Sequence, residues 1–398
     1  MNDTRLLFAA RSVRLFGYGF LSVVLVLYLA DIGLDPRRIG LLLSLTLIGD
    51  VLVSLYLTTR ADIIGRRRTL LAGAMLMIIA GLVFALTRDF TLLLIAATIG
   101  VISPSGNEVG PFLAVEQVAL AQTAGSRDRT SVFAWYNLAG SFATAAGSLC
   151  GGFFATLVSY RANIVAYSLF GIALAFLFTK LTRSVEATSP PQRTFFGVHR
   201  SRGIVARLSA LFALDSFAGG LVVQSIVAYW FFRRFGVSPA VIGAIFFGAN
   251  LLAGISALAA ARIARRIGLV NTMVFTHLPS NVLLLLVPFM PTLPLAITVL
   301  LIRFSISQMD VPTRQSYVLA VVDESERTAA AGVTGVARTT GAALAPVLAV
   351  PLIASRDWVP FVAAGVLKIV YDLLLLWSAR PSLSADAPGA GPAQNPPS

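Results

Sequence analysis

The chain has 398 residues, 57% hydrophobic and only 12% charged, with a mean hydropathy of +0.83. A water-soluble globule shows more charge than this, so the composition is that of a polytopic membrane protein. The formal net charge of +13 is scattered over short loops and is not interleaved with aromatics on one soluble face, which speaks against nucleic acid and for contact with anionic lipid. Cys150 is the only cysteine, and His199 and His277 are the only histidines, so neither an intrachain disulfide nor a Cys/His zinc site is expected.

Continuous apolar runs of about twenty residues have the helix length of a bilayer core, whereas a barrel would alternate over strands of about ten. The fold class is therefore an all-α membrane protein, with twelve transmembrane helices expected in two pseudo-symmetric six-helix bundles. In order, the spans run near Phe8 to Ile32, Arg38 to Leu57, Thr69 to Thr87, Thr91 to Phe112, Thr130 to Thr156, Ala162 to Leu181, Ile204 to Phe232, Pro239 to Arg262, Val270 to Met290, Pro294 to Tyr317, Thr328 to Ser355 and Trp358 to Ser378. The first carries Arg11 and Arg14 and has no small-residue cleavage pattern, so it reads as a span and not as a removable signal. Trp358 and Trp377 bracket the last as interfacial aromatics.

Between the second and third spans stands Arg60-Ala-Asp-Ile-Ile-Gly-Arg-Arg-Arg-Thr69. Gly65 lets the chain reverse, and Arg66, Arg67 and Arg68 prefer the cytoplasmic surface. With both termini on that side, most of the 31 Lys and Arg residues fall in cytoplasmic loops, including Arg262, Arg265 and Arg266. Six fall within spans: Arg11, Arg14, Arg303, Arg314, Arg338 and Lys368. A multi-pass protein of a bacterial-type inner membrane with cytoplasmic N- and C-termini is the expected placement.

A polar stretch with Pro190-Pro191 divides the chain into an N-terminal bundle (1–181), a cytoplasmic central loop (182–203), a C-terminal bundle (204–380) and a Pro/Ala/Gly-rich tail (381–398) expected to be disordered. The halves repeat. Gly33, Pro36 and Gly40 recur as Gly236, Pro239 and Gly243, Gly65 as Gly268, Asp128-Arg129-Thr130 as Glu326-Arg327-Thr328, and Gln117 as Gln315. Together with Asp62, Gly65, Arg66 and Arg67, this parallel repeat resembles the major facilitator superfamily, although Thr58 stands where that family usually has Gly and Ile63 where it often has Arg. The resemblance implies a monomeric carrier with its substrate site between the halves at mid-membrane. It also implies that the first, fourth, seventh and tenth helices line the cavity, and that Asp62 pairs near Arg129 as a latch of the outward-open state. The proline of the family's antiporter motif on the fifth helix is missing between Thr130 and Thr156.

Ionisable groups within spans are costly and are functional candidates. They are Arg11 and Arg14 on the first span, Glu108 with Asn107 on the fourth, Asp215 with Gln224 on the seventh, Arg303, Asp310 and Arg314 on the tenth, and Arg338 on the eleventh. Arg303, deep in its helix, either receives a carboxylate or phosphate bidentately or pairs with a buried acid. Glu108 and Asp215 are the candidates for proton coupling; the alternative for Glu108 is a structural pair with Arg11 or Arg14. Prolines and glycines around Glu108 predict a broken helix. Glu116 is expected nearer the surface as a gate or loop contact, Asp50 against a basic neighbour, His277 at a helix interface, and Asp372 with Lys368 as a local pair. The expected function is secondary transport of a small solute by proton-coupled efflux; an anion or metabolite carrier and a transporter-like sensor or scaffold are the alternatives. No enzyme activity, metal or cofactor is expected beyond an ion gradient.

Overall fold

The computed structural model describes residues 3–123, 129–186 and 200–385, and every regular element among them is helical. Ten helices are long and apolar enough to cross a bilayer, and the pair Asp3–Ser22 and Leu25–Asp31, bent by 43°, makes an eleventh. The fourth candidate is not one helix: Phe90–Ile99 and Phe112–Thr123 flank an irregular segment over residues 100–111. Counted as one broken span, it completes the order expected from the sequence. The last helix, Val359–Ala385, runs past Pro381 into the stretch assigned to the tail; the rest of the tail, and most of the central loop, lie outside the described residues.

Helix starts follow local chemistry. Asp35 caps the second span, Pro36–Ile64, by accepting from the amides of Arg37 and Arg38, with proline at the first helical position. Ser159 does the same for the sixth, Tyr160–Thr179, through the amide of Ala162. The reversals after spans two and eight use the repeated glycines, Gly65 at φ 105° and Gly268 at φ 86°, a region that other residues rarely enter.

The helices of the expected cavity are interrupted. The seventh is Arg202–Gly220 followed by Gln224–Phe235, and the tenth is Leu293–Ile306 followed by Asp310–Val321. In the fourth, Gly106 and Gly110 have φ of 72° and 80°, and Pro104 and Pro111 lack amide hydrogens. Irregular backbone at membrane depth is tolerable only where protein satisfies it, and here it does. Tyr18 and Tyr167 hydroxyls donate to the carbonyls of Val109 and Val101 at 3.1 and 2.8 Å, Ser103 donates to Asn107 O at 2.7 Å, and Gly110 N donates to Asp50 at 2.5 Å.

Small residues bring backbones together. A Cβ on Gly147 or Gly151 of the fifth span, Arg129–Leu157, would lie 2.0 or 2.2 Å from the carbonyl oxygens of Phe16 and Phe20. Across the halves, a Cβ on Gly152 would meet Pro239 O at 2.2 Å, and one on Gly40 would meet Pro346 O at 2.7 Å. The hydrogen bonds joining the halves among the described residues lie from mid-membrane to the end remote from Gly65. Ala240 N donates to Thr156 Oγ1 at 2.9 Å, Val347 N to Ser44 Oγ at 2.9 Å, and Ser225 N to Pro104 O at 3.1 Å. Toward the Gly65 end, nothing lies within 4 Å of where a Cβ on Gly332 or Gly335 would sit. The halves are thus joined at the end remote from Gly65, which is the closed end of the bundle.

Candidate charge clusters between the helices

In the N-terminal half two arginines on one helix face meet two glutamates from the broken fourth span. Arg11 donates to Glu108 at 2.7 Å and to Asn137 Oδ1 at 3.2 Å. Arg14, with no exposed side-chain surface, donates to Glu108 at 3.0 and 3.2 Å and bidentately to Glu116 at 2.6 and 2.7 Å. The Tyr136 hydroxyl also donates to Glu116, and the Arg11 guanidinium lies 4.4 Å from the Tyr136 ring centroid. Two cations balance two anions. Glu108 retains 16% side-chain exposure, so this face of the cluster opens inward while Glu116 is sealed.

Glu116 is therefore a fully buried partner of Arg14 and not a surface or loop contact. The basic neighbour expected for Asp50 is not found among the described residues. Its carboxylate takes Gly110 N and, at 3.1 Å, Ser54 Oγ, which ties the second span to the break beside Glu108.

In the C-terminal half Asp215 is the hub. It accepts from Lys368 Nζ at 2.6 Å and from Arg314 Nη1 at 3.2 Å; Arg314 also holds Asp310 at 2.8 Å. His277 links this group to Asp372: its Nε2 lies 3.8 Å from Asp215 and its Nδ1 2.8 Å from Asp372, whose second oxygen takes Asn281 Nδ2 at 2.9 Å. The expected local pair of Lys368 and Asp372 does not form, because Lys368 turns to Asp215 across the bundle. His277 is at a helix interface, as expected, and it is also wired to two acids.

Arg303 and Arg338 differ from every other membrane-embedded cation. Each sits in the field of Asp215 and Asp310, yet among the described residues neither forms a salt bridge within 4.0 Å and the Nε of each is buried without a hydrogen-bond partner. Four cations (Arg303, Arg314, Arg338 and Lys368) face three carboxylates (Asp215, Asp310 and Asp372). That surplus, carried on two open guanidinium groups, is what a small anion would neutralise.

Gln224, read as a cavity residue, sits where the closed end begins. Its Nε2 donates to Ser22 Oγ at 2.8 Å and to Ser148 Oγ at 3.1 Å, and its Oε1 accepts from Asn250 Nδ2 at 3.1 Å. Asn107 is exposed beside this knot. Asn250 and Ser148 were not singled out from the sequence; the available signal was a lone amide within the apolar eighth span.

At the Gly65 end, Asp62 pairs with Arg66 Nε at 2.7 Å, and Arg66 continues to Gln122 and to Val185 O. Glu186 accepts from the amides of Arg66 and Arg67 at 2.7 and 3.3 Å, capping the third span. Arg67 itself reaches Thr179 O at 2.7 Å. The Arg129 side chain expected in this latch lies outside the described residues. Glu186 escaped notice because its function is to cap a helix more than a hundred residues away in the chain. In the other half Glu326 holds the amides of Arg200 and Ser201 at 2.7 and 2.9 Å.

Comparison with known proteins agrees with this architecture. The model of the Major Facilitator Superfamily matches residues 7–346. The uncharacterized membrane protein YJR124C of Saccharomyces cerevisiae is 29% identical over 94% of this chain and 93% of its own length. Among solved structures, a variant of the nucleoside transporter NupG superposes with a TM-score of 0.75 at 14% identity, covering 96% of this chain and 99% of that one. The human organic anion transporter MFSD10 gives 0.64 at 17% identity, covering 94% and 99%. The family match over nearly the whole chain, on a bundle of broken and continuous membrane helices, makes this protein a member of the Major Facilitator Superfamily and a membrane transporter, not an enzyme.

Proposed function

We propose that the chain is a secondary carrier of small organic or inorganic anions, bearing a carboxylate or phosphate, that works by alternating access and is coupled to protons. The observation that carries this reading is the pair of guanidinium groups without acid partners, Arg303 and Arg338, beside a fully paired Asp215–Arg314–Asp310 group. A guanidinium left open in a membrane protein is expensive unless a ligand or water meets it, and its planar fork fits those two headgroups. Proton-coupled efflux of a small solute was the first expectation from the sequence, and a neutral or cationic solute would leave these two arginines without a purpose.

Positive-inside bias puts the Arg66 loop in the cytoplasm. On that orientation the closed end, with Gln224, Ser22 and Ser148, faces outward, and the conformation is open to the cytoplasm. The cavity would then receive its anion between Glu108 on one side and Arg303 and Arg338 on the other, with direction of net transport set by the gradients.

Thermal unfolding of the detergent-purified protein with a panel of small carboxylates, phosphates and lipophilic cations tests this. A ligand at about one hundred times its Kd stabilises by about 2.7 kcal/mol. Anions are expected to stabilise the wild type and to lose that effect in Arg303→Gln and Arg338→Gln. Stabilisation by lipophilic cations that survives both changes would overturn the anion reading.

A further inference from the structure

The three buried acids of the C-terminal cluster are not equally provided for. Asp310 has Arg314, and Asp215 has Lys368 and Arg314, whereas Asp372 has no lysine or arginine within 4.0 Å among the described residues. Its side chain is 1% exposed, and its partners are His277 Nδ1 at 2.8 Å and Asn281 Nδ2 at 2.9 Å. A carboxylate so enclosed, with no lysine or arginine among its partners, is a buried charge that proteins compensate by pairing or by protonation. One added proton removes the problem in either of two ways: the pair becomes imidazolium with carboxylate, or neutral imidazole with carboxylic acid.

We infer that the Asp372–His277 pair takes up and releases the coupled proton. The inference rests on the anion-carrier reading for what the proton accompanies. Glu108 and Asp215, the other candidates, each already have two cationic partners. The groups that face the pair come from every span packed on it: Asp215 from the seventh, with His277 Nε2 at 3.8 Å; Asp310 and Arg314 from the tenth; and Lys368 and Tyr371 from the twelfth, with the Tyr371 ring 6.0 Å from the imidazole. Beyond Asp215 lie Arg303 from the tenth and Arg338 from the eleventh, both of which feel that carboxylate.

The chain of contacts gives the sign of coupling. A proton on the pair adds one positive charge behind Asp215, and an anion on Arg303 and Arg338 adds one negative charge in front of it. Each binds more tightly when the other is present, because the two opposite charges share one buried network, and linkage makes the effect reciprocal. Proton and anion therefore load and leave together, which is symport and not exchange. No bond other than those to the proton is made or broken.

The chain's two histidines make the test direct. In full-length protein carrying His199→Gln and labelled with ¹⁵N-histidine, the single remaining imidazole reports its charge and tautomer by its nitrogen shifts. Between about pH 9 and about pH 5 the His277 signal is expected to change charge state, or its Nδ1 to register a proton gained by Asp372. Adding the anion identified by the stabilisation panel at fixed pH is expected to push the signal toward the protonated form. Asp372→Asn, which keeps the shape and removes the carboxylate, is expected to abolish both responses. In the same preparation, anion affinity should rise on the order of tenfold from the alkaline to the acid limit, within the usual range of coupling between sites, and should become flat with pH in Asp372→Asn. Nitrogen shifts that stay constant across the pH range and on anion addition would overturn the inference even if anions bind. If no anion binds at any pH but the His277 signal still titrates with Asp372, the proton site stands and the substrate reading falls.

Discussion

Breaking the Arg14–Glu116 pair is the sharpest test of whether the N-terminal cluster holds the bundle together. Both side chains are 0% exposed, and the contact is bidentate. Taking the charge centres as about 4 Å apart at an effective dielectric constant of about 20 gives about 4 kcal/mol of attraction. That matches the loss of about 3–5 kcal/mol seen when one member of a buried pair is removed and the other left uncompensated. Arg14→Met strands Glu116 with only the Tyr136 hydroxyl, and Glu116→Gln leaves Arg14 with Glu108 alone. The first should cost about 3–5 kcal/mol and the second less, since Glu108 still neutralises the guanidinium. The double change Arg14→Met/Glu116→Gln should recover much of the loss of Arg14→Met, because Glu116 then leaves no unpaired charge behind and Arg11 still holds Glu108. Denaturant unfolding of the four proteins in one detergent, read as a double-mutant cycle, checks this. Additive losses, or an Arg14→Met protein within about 1 kcal/mol of wild type, would refute the claim that the pair acts as a buried, mutually dependent unit.

Two further outcomes follow from the interfaces. Gly152→Leu places side-chain atoms where even a Cβ would lie 2.2 Å from Pro239 O and 2.8 Å from Gly243 Cα, so the closed end cannot form; transport in proteoliposomes should fall at least about tenfold, with unaltered yield of folded protein, and a wild-type rate would contradict the packing. Glu186→Gln weakens two charge-assisted bonds to the start of the third span, while Asp62→Asn removes the Arg66 ion pair. Each should increase labelling of a cysteine placed in the Arg66 loop and lower stability by about 1–2 kcal/mol. Unchanged labelling and stability in both would dismiss this knot as incidental.

Much of the fold was legible along the chain because a bilayer imposes a local rule. Every span must be about twenty apolar residues long and satisfy its own backbone, so hydropathy, the repeated Gly33/Gly236 and Gly65/Gly268 turns, and the Pro/Gly content around Glu108 marked the helices, the two halves and the broken fourth span. The types of residue in the site were legible for the same reason: an arginine or aspartate within such a span stands out. What the chain order concealed was partnership. Lys368 and Asp372 have the spacing of a local pair, yet their partners, Asp215 and His277, lie on other helices. Likewise Glu116, expected near the surface, is buried against Arg14 of the first span. Pairing of charges depends on which helix faces meet, and that is not encoded within any one span. The sequence by itself determined a helical membrane transporter with costly charges in its cavity helices. Only the tertiary structure decided which charges neutralise one another, and so which two arginines and which acid–histidine pair stand outside those ion pairs.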